Sequence, residues 1–188
     1  MDWFEFAGLT SGLLCVILLI RQNIWTWPIG LVYALVSLVV FYDKQLFAEV
    51  GLHVFYVGMN AYGWYYWLYG GGSRQQEVLK VVNTSRSQMW VLVAISIVGT
   101  ALLGTLLDRY TPADIAYVDS SIAVMSLVAM WMTAKKQIEN WVLWWVIDIL
   151  ATGVYVYKGI YMYAILYFVY LGLAIVGWQT WRRAQTSH

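Results

Sequence analysis

Seven long apolar runs alternate with short polar segments along the chain, at roughly Trp3–Ile20, Trp27–Tyr42, Phe47–Tyr69, Met89–Leu107, Asp114–Thr133, Trp141–Tyr157 and Tyr161–Trp181. Each is close to the ~20 residues that an α-helix needs to cross a hydrocarbon core about 30 Å thick. The pattern predicts an all-α membrane protein with seven transmembrane helices. Pro28 falls at the start of the second run, where a missing N–H costs nothing in a first helical turn. The one true linker runs from Gly70 to Ser87 and opens with Gly70-Gly71-Gly72-Ser73, a flexible connection too short for a second domain. Asp2 and Glu5 replace the basic segment of a signal peptide, so the first run is expected to be a retained helix.

The pattern also repeats. Sliding the chain by 114 residues aligns Arg21–Trp67 with Lys135–Trp181 without a gap. Identities fall at Ile24/Ile138, Trp27/Trp141, Val32/Val146, Val40/Val154, Lys44/Lys158, Leu52/Leu166, Tyr56/Tyr170, Gly58/Gly172, Gly63/Gly177, Trp64/Trp178 and Trp67/Trp181. Shared hydrophobicity would match Val and Leu pairs, but not tryptophans, glycines and a loop lysine in register; this is a duplication. A unit of three spans is odd, so direct fusion would invert the second copy. The intervening fourth span restores its direction. The expected layout is therefore 3+1+3 with parallel repeats: residues 1–69, a linker and fourth helix over 70–114, and residues 115–188. Such repeats commonly hold a substrate between them near the bilayer midplane.

Composition agrees with this picture: 62% of residues are apolar, 11% are charged and the mean hydropathy is +0.65. With a net charge of +1, nothing favours a nucleic-acid partner. The lone Cys15 offers neither a disulfide nor a cysteine metal site and reads as a small apolar filler. Basic residues sort by side. Arg21, Arg74, Lys80, Arg86, Lys135, Lys136, Arg182 and Arg183 share one side, while only Lys44, Arg109 and Lys158 fall on the other. The positive-inside rule places the first set in the cytoplasm, with the N-terminus outside and the C-terminus inside. Trp25, Trp27, Trp64, Trp67, Trp90, Trp131, Trp141, Trp178 and Trp181 lie near the same interface and read first as an anchor belt.

Candidate chemistry sits inside the spans. Trp141, Trp144 and Asp148 stand at i, i+3 and i+7 on one face of the sixth run, with Asp148 roughly 10–13 Å deep. A carboxylate there costs at least about 2.5 kcal/mol unless it faces a partner or a polar cavity. The plain structural alternative is a protonated Asp148 bonded to another helix. The third run carries His53, Tyr56, Asn60, Trp64 and Trp67 on one stripe, and the seventh carries Tyr163, Tyr167 and Tyr170. For His53 and Asn60, interhelical bonding competes with ligand contact; for the tyrosines, interior packing does. Asp119 reads as a helix cap or loop acid. Together the stripes form an aromatic cage with one acid and a few neutral hydrogen-bonding groups, suited to a flat, cationic, hydroxylated small molecule. The register adds an asymmetry: Ala34 stands where Asp148 does, Gly30 where Trp144 does, and Asn60 where Ala174 does.

Several mechanisms lack their residues. No G-x-x-x-x-G-K-[ST] loop is present, His53 is the only internal histidine, and the seventh run has no lysine for a retinal Schiff base. Nothing calls for a cofactor or a metal. A seven-helix enzyme or receptor would need a cluster of His, Asp and Ser at one depth, and a purely structural membrane protein remains the other class.

The segments Trp27-Pro28-Ile29-Gly30, Leu52-His53-Val54-Phe55-Tyr56, Tyr62-Gly63-Trp64-Tyr65-x-Trp67 and Glu139-Asn140-Trp141-x-x-Trp144-x-x-x-Asp148 resemble the Pnu family of vitamin transporters, nearest its nicotinamide riboside branch. The resemblance covers nearly the whole chain and implies a SWEET-like architecture. Here, however, Pro28 and Pro112 lie at span ends rather than at hinges within the bundle. It implies facilitated diffusion of a non-phosphorylated vitamin across the bacterial inner membrane, drawn inward by a cytoplasmic kinase. Nicotinamide riboside is the first substrate implied and thiamine its rival. The family motif places Trp141, Trp144, Asp148, His53 and Asn60 at the substrate, where Asn is expected in place of Asp148 and Gln in place of His53. Related parallel-repeat transporters form trimers or act as monomers, so a homo-oligomer is compatible.

Overall fold

The computed structural model describes residues 3–43, 47–70, 79–112 and 114–186. Lys44 and Arg74 of the charge tally, and residues 71–73 of the glycine-rich linker, lie outside the described residues. Among the described residues, seven helices follow the apolar runs: α1 (Trp3–Ile20), α2 (Thr26–Asp43), α3 (Phe47–Tyr69), α4 (Arg86–Tyr110), α5 (Ala116–Ala134), α6 (Asn140–Tyr157) and α7 (Tyr161–Thr186). Helices α4 and α7 run past their apolar stretches into polar sequence, because backbone hydrogen bonding continues where hydropathy stops reporting it. Ser85 caps α4, its hydroxyl accepting from the Gln88 N–H at 3.3 Å. Among the described residues, α4, α5, α6 and α7 are each long and apolar enough to cross a membrane.

Sequential helices pack as α1 on α2, α2 on α3, α5 on α6 and α6 on α7, and the two sets interlock crosswise, α1 on α7 and α3 on α5. Helix α4 packs on α5 and, among the described residues, on no other helix. It buries Leu92 and Gly104 while exposing Trp90, Val91, Ile95, Ile97, Val98 and Leu102, as a lipid-facing helix does.

Contacts recur at the 114-residue offset, most densely at the end of the bundle where the α1–α2 and α5–α6 loops lie, here called the basic end. Both loops leave their helix through one left-handed residue that is not glycine, Gln22 (φ 52°) and Lys136 (φ 50°). The N–H groups of Gln22 and Asn23 return to the carbonyls of Leu19 and Leu18, and those of Lys136 and Gln137 to Thr133 and Met132. These are matching Schellman closures. Trp27 lies on Gly63 and meets Trp67 edge-on at 5.4 Å; Trp141 lies on Gly177 and meets Trp181 edge-on at 5.5 Å. A Cβ at either glycine would sit inside the facing indole, so close approach requires glycine there. The outer tryptophans then cross over: Trp67 Nε1 donates to the Thr133 carbonyl (3.3 Å) and Trp181 Nε1 to the Leu19 carbonyl (3.1 Å). Each set of helices thus completes the helix end of the other.

Four tryptophans expected in an interfacial belt therefore lie inward. Trp27, Trp141 and Trp181 are buried, and Trp67 packs against the core that holds the last two. Trp25 and Trp90 remain exposed, consistent with an interfacial position. At the opposite end Asp119 pairs with Lys158 at 3.3 Å, which accounts for the loop acid.

Candidate substrate site

Asp148 is the ninth of the 18 residues of α6, so the helix holds its carboxylate at mid-span. Its neighbours come from several helices. Tyr167 and Tyr170 of α7 meet edge-on at 5.6 Å, and Asp148 is close enough to both hydroxyls to interact with them electrostatically. Tyr56 of α3 lies near enough to Tyr167 to interact with it electrostatically. His53 stands 5.4 Å from Tyr56 and 6.4 Å from Tyr33 of α2. Tyr155, two turns beyond Asp148 on α6, packs against Tyr163 at 5.3 Å and Tyr167 at 5.2 Å. Cys15 of α1 and Tyr33 come within reach of Tyr170. The result is a buried carboxylate near Tyr167 and Tyr170, continued through Tyr56 to the imidazole of His53. His53 and Tyr167 occupy equivalent positions in the register, as do Tyr56 and Tyr170, so the cluster is built from matching places on α3 and α7.

The other sequence candidates sit apart from this centre. Asn60 is buried with its Nδ2 donating to the Tyr56 carbonyl at 2.8 Å, and its Oδ1 occupies the space that Gly30 leaves by lacking a Cβ. Trp141 is enclosed by Gly177 and Trp181 at the basic end. Trp144 is half-buried between the two regions; its Nε1 donates to Thr133 Oγ1 at 3.3 Å, and that hydroxyl shares its one proton between the Ala129 carbonyl at 2.8 Å and Asn140 Oδ1 at 3.2 Å. The structure therefore joins Asp148, Tyr56, Tyr167, Tyr170 and His53 in one cage, and places Asn60, Trp144 and Trp141 in layers leading from it toward the basic end.

Reading the sequence alone missed Tyr33, Tyr155, Thr133 and Asn140. Tyr155 follows Asp148 by seven residues and shares its helical face, a signal that was there to be read. Thr133 and Asn140 bracket a loop, and only the fold of that loop brings them together. A groove of about 630 Å³ opens elsewhere, on the lipid-facing side between α3, α4 and α5, lined by Phe55, Val91, Ile95, Val124, Leu127 and Trp131. It is nearly all apolar and shares no residue with the cage.

A bundle whose helices α4 to α7 are each long and apolar enough to cross a membrane, with an acid buried at the middle of α6, describes a multi-pass membrane protein. The chain belongs to the family described as Nicotinamide mononucleotide transporter, which it matches over residues 2–183. It is similar to the nicotinamide riboside transporter PnuC of Escherichia coli (strain K12), 24% identical over 96% of this chain and 85% of that protein. It is also similar to the riboflavin/roseoflavin transporter RibM of Streptomyces davaonensis, 26% identical over 95% of this chain and 84% of the relative. The crystal structure of the vitamin B3 transporter PnuC has the same fold, with a TM-score of 0.76 at 24% identity, covering 99% of this chain and 83% of that one.

Proposed function

We propose that this chain carries nicotinamide riboside across the bacterial inner membrane by facilitated diffusion, with the buried Asp148 carboxylate and its nearby tyrosines as the substrate site. That carboxylate is the observation that carries the reading. A pyridinium ring is flat and cationic; tyrosine faces attract it, and an anion at close range compensates its charge. The ribose hydroxyls can use the phenols, His53 and Asn60. A mononucleotide would bring a phosphate beside an acid, while Lys135, Lys136 and the Arg residues of α7 all lie toward the basic end. The riboside without its phosphate therefore suits the site better. Nothing in the sequence offers a nucleotide-binding loop to drive uphill movement, so phosphorylation by a cytoplasmic kinase is the natural way to retain the substrate.

Alternating access is part of the same proposal. The units are residues 1–69 and 115–188, joined through 70–114, with the N-terminus outside and the basic end in the cytoplasm. Supporting this are the recurrent contacts at the 114-residue offset and the eight-to-three division of basic residues. A second reading, another flat vitamin, has one specific observation behind it: the riboflavin carrier among the relatives. Thiamine, also a flat cation, belongs to the same comparison. Titrating the purified protein with nicotinamide riboside, nicotinamide mononucleotide, thiamine and riboflavin, with tryptophan fluorescence as readout, ranks them. Uptake of the labelled binder into proteoliposomes, with and without a proton gradient, then tests the mechanism. Tightest binding of nicotinamide riboside and gradient-independent uptake are expected; binding of none of the four would end the vitamin reading.

A further inference from the structure

The segment Leu79–Ser85, the last part of the linker before α4, lies across the basic end as a strap with a single β-bridge residue at Val82. Its attachments are numerous. The Val82 N–H donates to the Lys136 carbonyl (3.0 Å) and the Ile138 N–H to the Val82 carbonyl (2.9 Å), a one-residue parallel bridge onto the α5–α6 loop. Glu139 Oε2 accepts from both the N–H and the hydroxyl of Thr84, at 2.9 and 2.7 Å. Lys136 Nζ donates to the Leu79 carbonyl (2.9 Å) and to Gln22 Oε1 (3.0 Å), and lies 4.5 Å from the Trp67 ring centre. Between these bonds Val81 is buried in one cluster with Ile20 of α1, Ile138, Trp141 and Trp181. The strap thus inserts an apolar side chain where the two crosswise helix pairs meet. One lysine ties the strap to the ends of α1 and α3 at once.

We propose that this strap is the latch of the inner gate, with Val81 as its plug and Glu139, Lys136 and Thr84 as the groups that hold it shut. The proposal rests on the transport reading for its meaning. Opening the basic end requires α1 to part from α7 and α3 from α5, since these crosswise contacts carry the Trp67 and Trp181 bonds. Val81 and Lys136 span that same seam, so the strap must lift before the seam opens. At the places of Glu139 and Lys136 the first unit has Trp25 and Gln22. The latch is therefore a property of the second unit's loop alone, and one segment controls the gate.

Two measurements decide it. In a Cys15→Ala background, Val81→Cys reports latch opening through its labelling rate with a hydrophilic maleimide in detergent, with no substrate needed. Slow labelling is expected, accelerated several-fold by Glu139→Ala or, as a milder change, by Thr84→Ala. An unchanged rate in both variants, in protein that remains monodisperse, overturns the latch. Next, Val82→Cys with Gln137→Cys ties the strap to its bridge partner through a disulfide. The oxidised protein is expected to quench with nicotinamide riboside yet lose uptake, and reductant is expected to restore it. Undiminished uptake by the cross-linked protein overturns the proposal. Absence of binding in every form, the parent included, would instead count against the transport reading, and the labelling rates would still decide the latch.

Discussion

At the residue scale the carboxylate dominates. Asp148 occupies the place of Ala34, and both are buried, so the position itself demands a closed environment and only the second copy puts an ionisable group in it. Asp148→Ala is expected to weaken binding of the cationic riboside by roughly 1–3 kcal/mol, the scale of a lost charge-assisted hydrogen bond. Asp148→Asn should lose less, since the amide keeps an acceptor; titration by tryptophan quenching measures both. Lys136 is the second notable residue, a buried ammonium in the α5–α6 loop. Burial pushes it down to about 8 from its ordinary 10.5, so it is still charged at neutral pH, where Gln22, the Leu79 carbonyl and the Trp67 ring face it. Between those two pH values the unfolded chain holds the extra proton, so the burial cost, at most about 3 kcal/mol, is in force below pH 8 and relieved as pH rises toward 10.5. Thermal unfolding at stepped pH should show stability rising over that window relative to Lys136→Gln, which carries the residue found at position 22. A parallel pair of curves would refute the shift.

At the scale of elements, the glycines of α3 and α7 divide into two kinds. Gly63 and Gly177 hold an indole against the backbone, whereas Gly58 and Gly172 have nothing within 4 Å of a built Cβ. Alanine at Gly63 or Gly177 is expected to cost about 1–3 kcal/mol, because the tryptophan must shift in a packed interior. Alanine at Gly58 or Gly172 should be neutral or stabilise by up to about 1 kcal/mol through helix propensity. Thermal unfolding of the four variants in one detergent makes the comparison, and equal losses at all four would refute the packing account. The helices themselves were legible because hydropathy reports the one requirement of a span, an apolar surface some 20 residues long. Their ends were less so. The Schellman closures at Gln22 and Lys136 use residues with no glycine to announce them, and the chain adopts the left-handed conformation there because the loop bonds compensate its cost of on the order of 1 kcal/mol.

At the scale of the whole molecule, the proposed topology puts Thr186 and Lys158 on opposite sides of the membrane. Thr186→Cys should react with an impermeant maleimide only from the cytoplasmic side and Lys158→Cys only from outside, each in a Cys15→Ala background; the reverse pattern would invert the assignment. By itself the sequence determined the helices, the register of 114 residues and the acid at the middle of α6, because each of these is written in the local pattern of apolar and polar residues. The tertiary structure decided which aromatic residues gather near the Asp148 carboxylate and which pack the frame. Identical periodicity sends Trp141 and Asp148 to one face of α6, yet the indole closes on Gly177 while the carboxylate meets the tyrosines of α7. Helical phase assigns a face, but the depth along that face and the neighbour waiting there are set by the packing of the other helices. The crosswise bonds of Trp67 and Trp181, and the strap that closes over them, join residues far apart in the chain, and no local pattern records such a meeting.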